Sequence, residues 1–250
     1  MKIGIIGIGN IGKTLATKLS AAGHEVKVAN SRGPETIGAD VLSTGARAVT
    51  TADAVVDVDA LILSIPLQGI PALAPLMAKA NADTVIIDTS NYYPMRDGQI
   101  AALNEGQVES EWVSAQLGRP VAKAWNAIGA GSLATKGKPA GDPDRIAIPV
   151  AGNSERERAV AMTLVEDTGL DAVDAGSLAE SWRQQGGAPC YCTDLSRDQM
   201  PAALAAAEAA RLPARRDLVI SVVIERMMGG TSPVMLDAEH FVRVARAVFL

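Results

Sequence analysis

Continuous apolar runs recur along much of the chain, separated by segments whose apolar residues stand three or four positions apart. Runs such as Ala60–Ile65 and Thr84–Asp88 are apolar almost throughout, which is typical of strands covered on both faces of a parallel sheet. The intervening spacing is typical of amphipathic helices. This alternation predicts an α/β fold, a doubly wound and mostly parallel sheet of the Rossmann type with right-handed crossovers.

The same patterns give approximate bounds for the elements. A first strand runs up to Gly7, and a helix follows it. Further strands are predicted at Glu25–Ala29, Ala46–Thr50, Ala60–Ile65, Thr84–Asp88, Val121–Trp125, Arg145–Ala151 and Leu170–Asp174. Further helices are predicted at Pro34–Ser43, Ile70–Lys79, Gln99–Asn104, Ser154–Val165, Ala202–Arg211, Arg215–Met228 and Ala238–Phe249. The spacing of Ser154 and Glu157 is that of a capping box, which marks the start of a helix.

The pattern changes after Leu178, where three helical segments follow the breaking sequence Gly186–Pro189. We therefore predict a Rossmann domain at residues 1–178 and a C-terminal helical segment at residues 179–250. Amphipathic helices must bury their apolar faces. We expect this segment to form the contact of a homodimer or to close a substrate cleft.

A glycine-rich turn separates the first strand from the first helix. Gly7, Gly9 and Gly12 have the spacing G-x-G-x-x-G, and a second strand follows at the distance of a β-α-β unit. In such units the first glycine permits the turn, the second lets a pyrophosphate approach the backbone, and the third lets helix and strand pack closely. The phosphates then lie at the positive end of the helix. The turn predicts a dinucleotide site.

The residues after the second strand indicate which dinucleotide binds. NAD-preferring proteins usually place an acidic residue there, which accepts a hydrogen bond from the ribose 2′-hydroxyl. This chain has Asn30, Ser31 and Arg32 instead. Arg32 can pair with a 2′-phosphate and Ser31 can donate to it, although a loop arginine can also be simply solvated. The turn predicts NADP(H).

The carboxyl ends of the predicted strands should form the rest of the site, because ligands of doubly wound sheets bind there. We expect the turn after Leu63 to run along the middle of the cofactor, with Ile65 or Leu67 near the nicotinamide. We expect the main chain of residues 126–130 to bond the carboxamide. The candidate cofactor-binding residues are Gly7, Gly9, Asn10, Ile11, Gly12, Asn30, Ser31, Arg32, Ser64, Ile65, Pro66, Asn126, Ala127, Ile128 and Gly129.

The sequence offers no clear set of acid and base residues. Reduction of a simple carbonyl needs a group that moves a proton. Lys123 and Asn126 have the spacing K-x-x-N of β-hydroxyacid dehydrogenases, but here Lys123 lies in a predicted strand, whose alternation can turn it to a face covered by helices. Tyr92 and Tyr93 can line a substrate cleft, although packing at the surface fits them better, and Asp88 fits a strand-end hydrogen-bonding residue better than a base. Hydride transfer between two flat redox rings needs little proton chemistry, so we expect a flavin-like acceptor and leave the catalytic residues unassigned.

Charge and composition narrow the partners. The net charge is −5 and the chain has no Lys/Arg run, which argues against nucleic acid. No apolar stretch approaches the length of a membrane span, and the first strand begins directly at the N-terminus. We therefore expect a soluble, cytoplasmic protein. Cys190 and Cys192 are too close for a useful disulfide and lack further zinc ligands, so we expect two reduced thiols and no metal.

These stretches resemble the NADPH-dependent reductases of the deazaflavin coenzyme F420. The segments that carry the resemblance are Ile5–Gly12, Ala29–Arg32, Ser64–Pro66, Ile148–Gly152 and Leu170–Leu178. The resemblance implies an NADP-binding Rossmann core with the cofactor in an extended pose. It also implies contacts to Ser31, Arg32, Ile65 and the main chain of residues 127–129, with hydride passing to a flat acceptor on the nicotinamide.

Two stretches depart from that family, Trp125–Gly129 and Gly187–Thr193, and both should border the acceptor. The acceptor is therefore left open between a flavin, a deazaflavin and a similar molecule. Two alternatives remain: a short β-hydroxyacid or imine reductase, and an NADPH-binding sensor without catalysis.

Overall fold

A parallel sheet of six strands forms the centre of the protein. The computed structural model describes residues 1–228 and 238–250. The strands are β1 (Lys2–Ile6), β2 (Glu25–Ala29), β3 (Arg47–Ala48), β4 (Ala60–Leu63), β5 (Val85–Asp88) and β6 (Val121–Lys123). Their order in the sheet is β3-β2-β1-β4-β5-β6, and every neighbouring pair is parallel. This is the Rossmann order, with the crevice for a ligand between β1 and β4. The predicted fold class is confirmed.

A second, smaller sheet continues this arrangement at one edge. It contains β7 (Ala147–Val150) and β8 (Asp171–Asp174), which are parallel to each other. Directly after β7, Ala151 forms an antiparallel bridge with Lys123 of β6, with N···O distances of 2.8 and 3.1 Å. The bridge holds the end of β6 in place, and β6 leads into one of the candidate binding turns.

Helices flank the sheet and make up most of the C-terminal part. They are α1 (Asn10–Ala21), α2 (Ala39–Leu42), α3 (Thr51–Ala54), α4 (Ala74–Met77), α5 (Pro94–Asp97), α6 (Ala101–Asn104), α7 (Glu109–Leu117), α8 (Ala130–Thr135), α9 (Glu155–Asp167), α10 (Met200–Ala205), α11 (Leu212–Met228) and α12 (Ala238–Phe249). Short 3-10 helices lie at Pro34–Thr36, Leu67–Gly69, Pro71–Leu73, Leu178–Gln184 and Ala209–Arg211. No helix in the described ranges is both long enough and apolar enough to cross a membrane.

The buried side chains form three clusters. Two cover the faces of the sheet, one around Ile5 and Leu15 and the other around Leu61 and Leu67. The third joins Tyr191 and Phe249 of the C-terminal part to Ala127 and Ala147 of the first part. The C-terminal segment therefore packs directly on the carboxyl side of the sheet. The predicted boundary between two domains at Leu178 stays a prediction.

Several element bounds differ from the predicted ones for local reasons. β6 ends at Lys123 instead of Trp125, because Trp125 has a left-handed backbone with φ of 56° and turns the chain out of the sheet. Residues 70–79 form a 3-10 turn and a short helix, since Pro71 and Pro75 have no N–H for a regular helix. Helix α7 was not predicted. The capping box of Ser154 and Glu157 is confirmed at the start of α9.

Candidate functional site

The glycine-rich turn has the geometry that its spacing predicts. Gly7 has φ of 101°, and a Cβ there would lie 2.2 Å from the carbonyl oxygen of Ser64. A Cβ on Gly12 would lie 1.9 Å from the carbonyl oxygen of Gly7. Neither position tolerates a side chain without movement of the backbone. These two glycines therefore set the close approach of β1, β4 and α1.

Gly9 is different, because it faces open space. No atom lies within 4 Å of the position that its Cβ would occupy. Gly9 is the N-cap of α1, and no side chain caps this end of the helix. The first N–H groups of an α-helix have no partner within the helix, and its dipole favours a negative group there. The turn is therefore an open cradle for a pyrophosphate, so the residues present fit a dinucleotide.

The turn after β2 presents a basic side chain. Asn30 shapes the turn, since its Oδ1 accepts from the Arg32 N–H at 2.9 Å and its Nδ2 donates to Thr36 Oγ1 at 2.8 Å. Ser31 and Arg32 are exposed. In the described part of the chain no carboxylate forms an ion pair with Arg32, although the exposed Glu35 packs over Gly33 in the same turn. Arg32 can therefore pair with an incoming phosphate.

A cleft of about 610 Å³ runs from the glycine-rich turn along the carboxyl edge of the sheet. Nine of the predicted residues line it: Gly9, Asn10, Ile11, Ser64, Ile65, Pro66, Asn126, Ile128 and Gly129. Gly7 and Gly12 lie behind the turn, and Asn30, Ser31 and Arg32 lie at the tip of β2, outside the lining. Their contacts with a cofactor stay predictions.

Two of the predicted positions point elsewhere. The carbonyl of Ala127 accepts from the N–H of Cys192 at 2.8 Å, so this group holds the C-terminal segment. Leu67 is completely buried and does not line the cleft, whereas Ile65 does. Ile65 and Leu67 were both considered as neighbours of the nicotinamide, and of the two only Ile65 lines the cleft.

Other residues of the cleft were not among the predicted site residues. They are Thr89, Ser90, Asn91, Tyr93, Arg96, Trp125, Gly131, Tyr191, Cys192, Val223 and Phe241, while Ala130 lines the cleft next to the predicted residues. Thr89–Asn91 follow β5 directly, and as a strand tip they belong to the edge of the sheet where the sequence places the site. Tyr191, Cys192, Val223 and Phe241 come from the C-terminal segment, and no local pattern in the sequence marks them.

A network of side-chain amides fixes the turn after β6. Asn126 Nδ2 donates to the carbonyl of Gln184 at 2.7 Å and to Asn91 Oδ1 at 3.1 Å. Gln184 Nε2 donates back to Asn126 Oδ1 at 2.9 Å. Asn91 Nδ2 donates to the Asn126 carbonyl at 2.9 Å. The three residues lock the turn to the C-terminal segment, which leaves Ile128 and Gly129 at the cleft.

Lys123 belongs to a buried charge cluster and does not line the cleft. Its Nζ donates to Ser110 Oγ at 2.9 Å and to the Ser90 carbonyl at 3.2 Å. The carboxylates of Asp88 and Glu109 lie 3.6 and 3.5 Å from it. Lys123 and Asp88 are completely inaccessible. The cluster therefore holds the loop of Ser90 in place through the bond from Lys123. Lys123 itself is not among the residues that line the cleft.

Glu109 is a buried carboxyl of this cluster whose protonation is altered by folding. Burial raises the pKa of its carboxyl, and the Lys123 ammonium only partly opposes that shift. The folded state then holds the proton more tightly than the unfolded chain does. The contribution of Glu109 to stability is complete at acidic pH and is lost as the pH rises through its raised pKa.

Glu109→Gln is expected to weaken the pH dependence of stability. The amide cannot ionise, so the variant loses less unfolding free energy between pH 5 and pH 8 than the unaltered protein does. Urea unfolding at both pH values measures this difference, with the exposed Glu105→Gln as control. An unchanged pH dependence in the Glu109→Gln variant would show that Glu109 titrates normally.

Two tyrosines, Tyr93 and Tyr191, form part of the wall of the cleft. The hydroxyls of Tyr93 and Tyr191 are hydrogen-bonded to each other, and the Arg96 guanidinium lies over the Tyr93 ring at 5.0 Å from its centroid. Burial raises the pKa of Tyr93, Tyr191 and Cys192, and raises the pKa of Cys190 to about 12. Cys190 and Cys192 are free buried thiols, as expected. All four groups are neutral at physiological pH.

Known proteins are similar to the N-terminal part of this chain. Residues 2–92 match the family model described as "NADP oxidoreductase coenzyme F420-dependent". Among curated proteins, YjhV of Escherichia coli is 54% identical over 56 residues, which are 22% of this chain and 41% of that protein. The match to this relative therefore spans less than half of its length.

Solved structures match a larger share of the chain. Hypothetical protein SMa0349 from Sinorhizobium meliloti has 29% identity and a TM-score of 0.66, over 79% of this chain and 96% of its own. A candidate F420-dependent NADP reductase from Arthrobacter sp. FB24 has 19% identity and a TM-score of 0.57, and the match covers 89% of this chain and 95% of that protein. The second similarity shows a common fold.

These similarities confirm part of the expectations from the sequence. Residues 2–92 are similar to a family of oxidoreductases whose description names NADP, and the Rossmann fold of this part of the chain agrees with that similarity. The acceptor and the reaction of the whole protein do not follow from them.

Proposed function

We propose that the protein is an NADPH-dependent oxidoreductase that transfers hydride between the nicotinamide and a flat redox acceptor such as a flavin or a deazaflavin. The observation that carries this proposal is the continuous cleft. Its lining includes Gly9 of the open cradle, Ile65, and the two tyrosines Tyr93 and Tyr191. One wall would hold the cofactor, and the remaining space would admit an acceptor against it.

Different residues in and beside the cleft suit different parts of NADP. The N-terminus of α1 suits the pyrophosphate, and Arg32 at the tip of β2 suits the 2′-phosphate. Ile65 and the turn of Ile128 and Gly129 would flank the nicotinamide. When bound, NADPH supplies a hydride. The chain's own contribution is to hold both partners in contact and exclude water.

The character of the acceptor end favours a conjugated molecule. Ile128, Val223 and Phe241 give this part of the cleft apolar walls. Among the described residues that line the cleft there is no Asp, Glu, His or Lys. The position of Lys123 outside the lining also removes the basis of the K-x-x-N alternative. A flat acceptor that carries its own redox chemistry fits these walls best.

Anaerobic stopped-flow oxidation of NADPH tests this function. FMN, coenzyme F420, a 2-keto acid and a cyclic imine would be offered in turn. Oxidation with FMN or coenzyme F420, and none with the keto acid or the imine, is the expected result. Rapid oxidation with only the keto acid or imine would favour the reductase alternative. Tight NADPH binding without acceleration by any acceptor would favour a sensor.

Arg32→Glu is expected to weaken NADPH binding by about 10 to 100-fold while NADH binding changes little. The substitution removes a charge-assisted pair with the 2′-phosphate and adds a repulsive charge, and NADH has no phosphate there. Calorimetric titration with both nucleotides measures the effect, and the exposed Arg47→Glu is a control. Equal loss for NADPH and NADH would contradict the assignment of Arg32.

We further propose that two copies of the chain form a homodimer through α11. Leu218 and Val222 are exposed apolar side chains one turn apart on the same face of this helix. This face is the proposed contact between the two copies. A cytoplasmic location fits the unpaired cysteines and the use of NADPH.

A further inference from the structure

The hydroxyls of Tyr93 and Tyr191 meet at the wall of the cleft although the residues are 98 positions apart. Tyr93 comes from the loop after β5, on the cofactor side of the molecule. Tyr191 comes from the C-terminal segment. The pair therefore exists only once that segment is folded onto the sheet.

Both tyrosines are held firmly. Tyr191 is 5% exposed, and its ring packs edge-on against Phe249 with the centroids 6.4 Å apart. Its N–H donates to the Ala188 carbonyl at 2.9 Å. The N–H of Tyr93 donates to Asp97 Oδ2 at 2.9 Å, and Arg96 covers the Tyr93 ring. The two oxygens are therefore fixed relative to the cleft.

One of the two hydroxyl protons of the pair is not used in the hydrogen bond between them. Two phenols carry two O–H groups, and their mutual bond uses one of them. In the described part of the chain neither phenol makes a further side-chain hydrogen bond to an oxygen or nitrogen atom, and the thiol of Cys192 beside Tyr191 is only a weak acceptor. The second O–H is thus available to a molecule in the cleft.

We propose that the Tyr93–Tyr191 hydroxyl pair donates the proton to the acceptor, and that the acceptor is a conjugated molecule ending in a carbonyl oxygen or a ring nitrogen. This inference rests on the proposed function and narrows its acceptor class to quinone-like and flavin-like molecules. It gives the tyrosine pair a role that the sequence did not indicate.

The step balances as follows. The hydride adds with its electron pair to one end of the conjugated system, and the π electrons move to the heteroatom at the other end. One tyrosine O–H bond breaks and the heteroatom gains that proton. The second tyrosine passes its own proton to the tyrosinate, and solvent restores the pair. In total the acceptor would gain one hydride, which carries two electrons and is supplied by bound NADPH, and one proton from the tyrosine pair.

The surroundings keep the donor protonated over a wide pH range. The titratable and charged groups around the pair are Cys192, Glu109 and Arg96. Burial is the main reason that the pKa of both phenols is raised. The pair therefore carries both protons at neutral pH, and the turnover rate is expected to be constant from pH 6 to pH 9.

Tyr93→Phe, Tyr191→Phe and the double variant test this role, with menadione and FMN as acceptors. Each single variant is expected to lose about 100-fold or more in kcat and to keep its NADPH Kd. The double variant should be no slower than the slower single one, because the pair acts as a unit. The solvent isotope effect on kcat should change in the variants, which loss of packing alone would not cause.

Tyr92→Phe is the matched control, since its hydroxyl lies within hydrogen-bond distance of the Gly98 carbonyl and Asn104 Oδ1 and does not line the cleft. This variant should keep kcat. Full kcat and an unchanged solvent isotope effect in both Phe variants at positions 93 and 191 would overturn the role of the pair alone. A protein that binds NADPH but oxidises it with neither acceptor would overturn this inference together with the proposed function.

Discussion

Gly9→Val is expected to abolish NADPH binding in a chain that still folds. The position has an ordinary φ of −65°, and no atom lies within 4 Å of the new Cβ, so the folded protein accommodates valine. The same space is where a pyrophosphate would approach the N-terminus of α1. Valine would occupy it, and we expect affinity to fall beyond detection in calorimetry, while the thermal midpoint of the protein without nucleotide stays close to that of the unaltered protein.

Gly12→Val is the matched comparison. Its Cβ would lie 1.9 Å from the carbonyl oxygen of Gly7, so this variant should lose stability as well as binding. The contrast separates an open position from a packed one within a single turn. NADPH binding that survives in Gly9→Val would mean that the pyrophosphate does not lie at this turn.

Lys123→Met is expected to cost about 3–5 kcal/mol of unfolding free energy, the usual result when one partner of a buried ion pair is removed. The substitution leaves the Asp88 carboxylate buried without its cation and removes the hydrogen bonds to Ser90 and Ser110. Urea unfolding followed by circular dichroism measures the loss.

Lys2→Met provides the control, because Lys2 pairs with Asp57 at the exposed surface. Exposed pairs contribute little, so its unfolding curve should nearly coincide with that of the unaltered protein. Unchanged stability in the Lys123→Met variant would show that Lys123 and Asp88 do not stabilise the fold as a buried ion pair.

The cofactor half of the site could be predicted because its signals are local. Gly7, Gly9 and Gly12 each have a requirement set by their nearest neighbours in the chain, and the structure shows all three. The sheet order follows from the alternation of strands and helices. The residues at the tip of β2 could be identified for the same reason, because Arg32 follows the end of β2 by three residues in the sequence.

The acceptor half could not be predicted, because it depends on contacts between distant parts of the chain. Tyr191 and Phe241 reach the cleft only through the packing of the C-terminal segment on the sheet. The position of Lys123 was half predictable: strand alternation indicated a covered face. Its partner Glu109 lies on α7, a helix that the sequence pattern did not reveal.

The central claim is that NADP(H) binds at the carboxyl edge of this sheet, with its 2′-phosphate at Arg32. Isothermal titration of the purified chain with NADPH and then with NADH tests it most directly. The account predicts one nucleotide site per chain, with NADPH bound at least about tenfold more tightly than NADH, as one charge-assisted contact allows. The claim would be contradicted if neither nucleotide gave a measurable heat of binding, or if both bound with equal affinity.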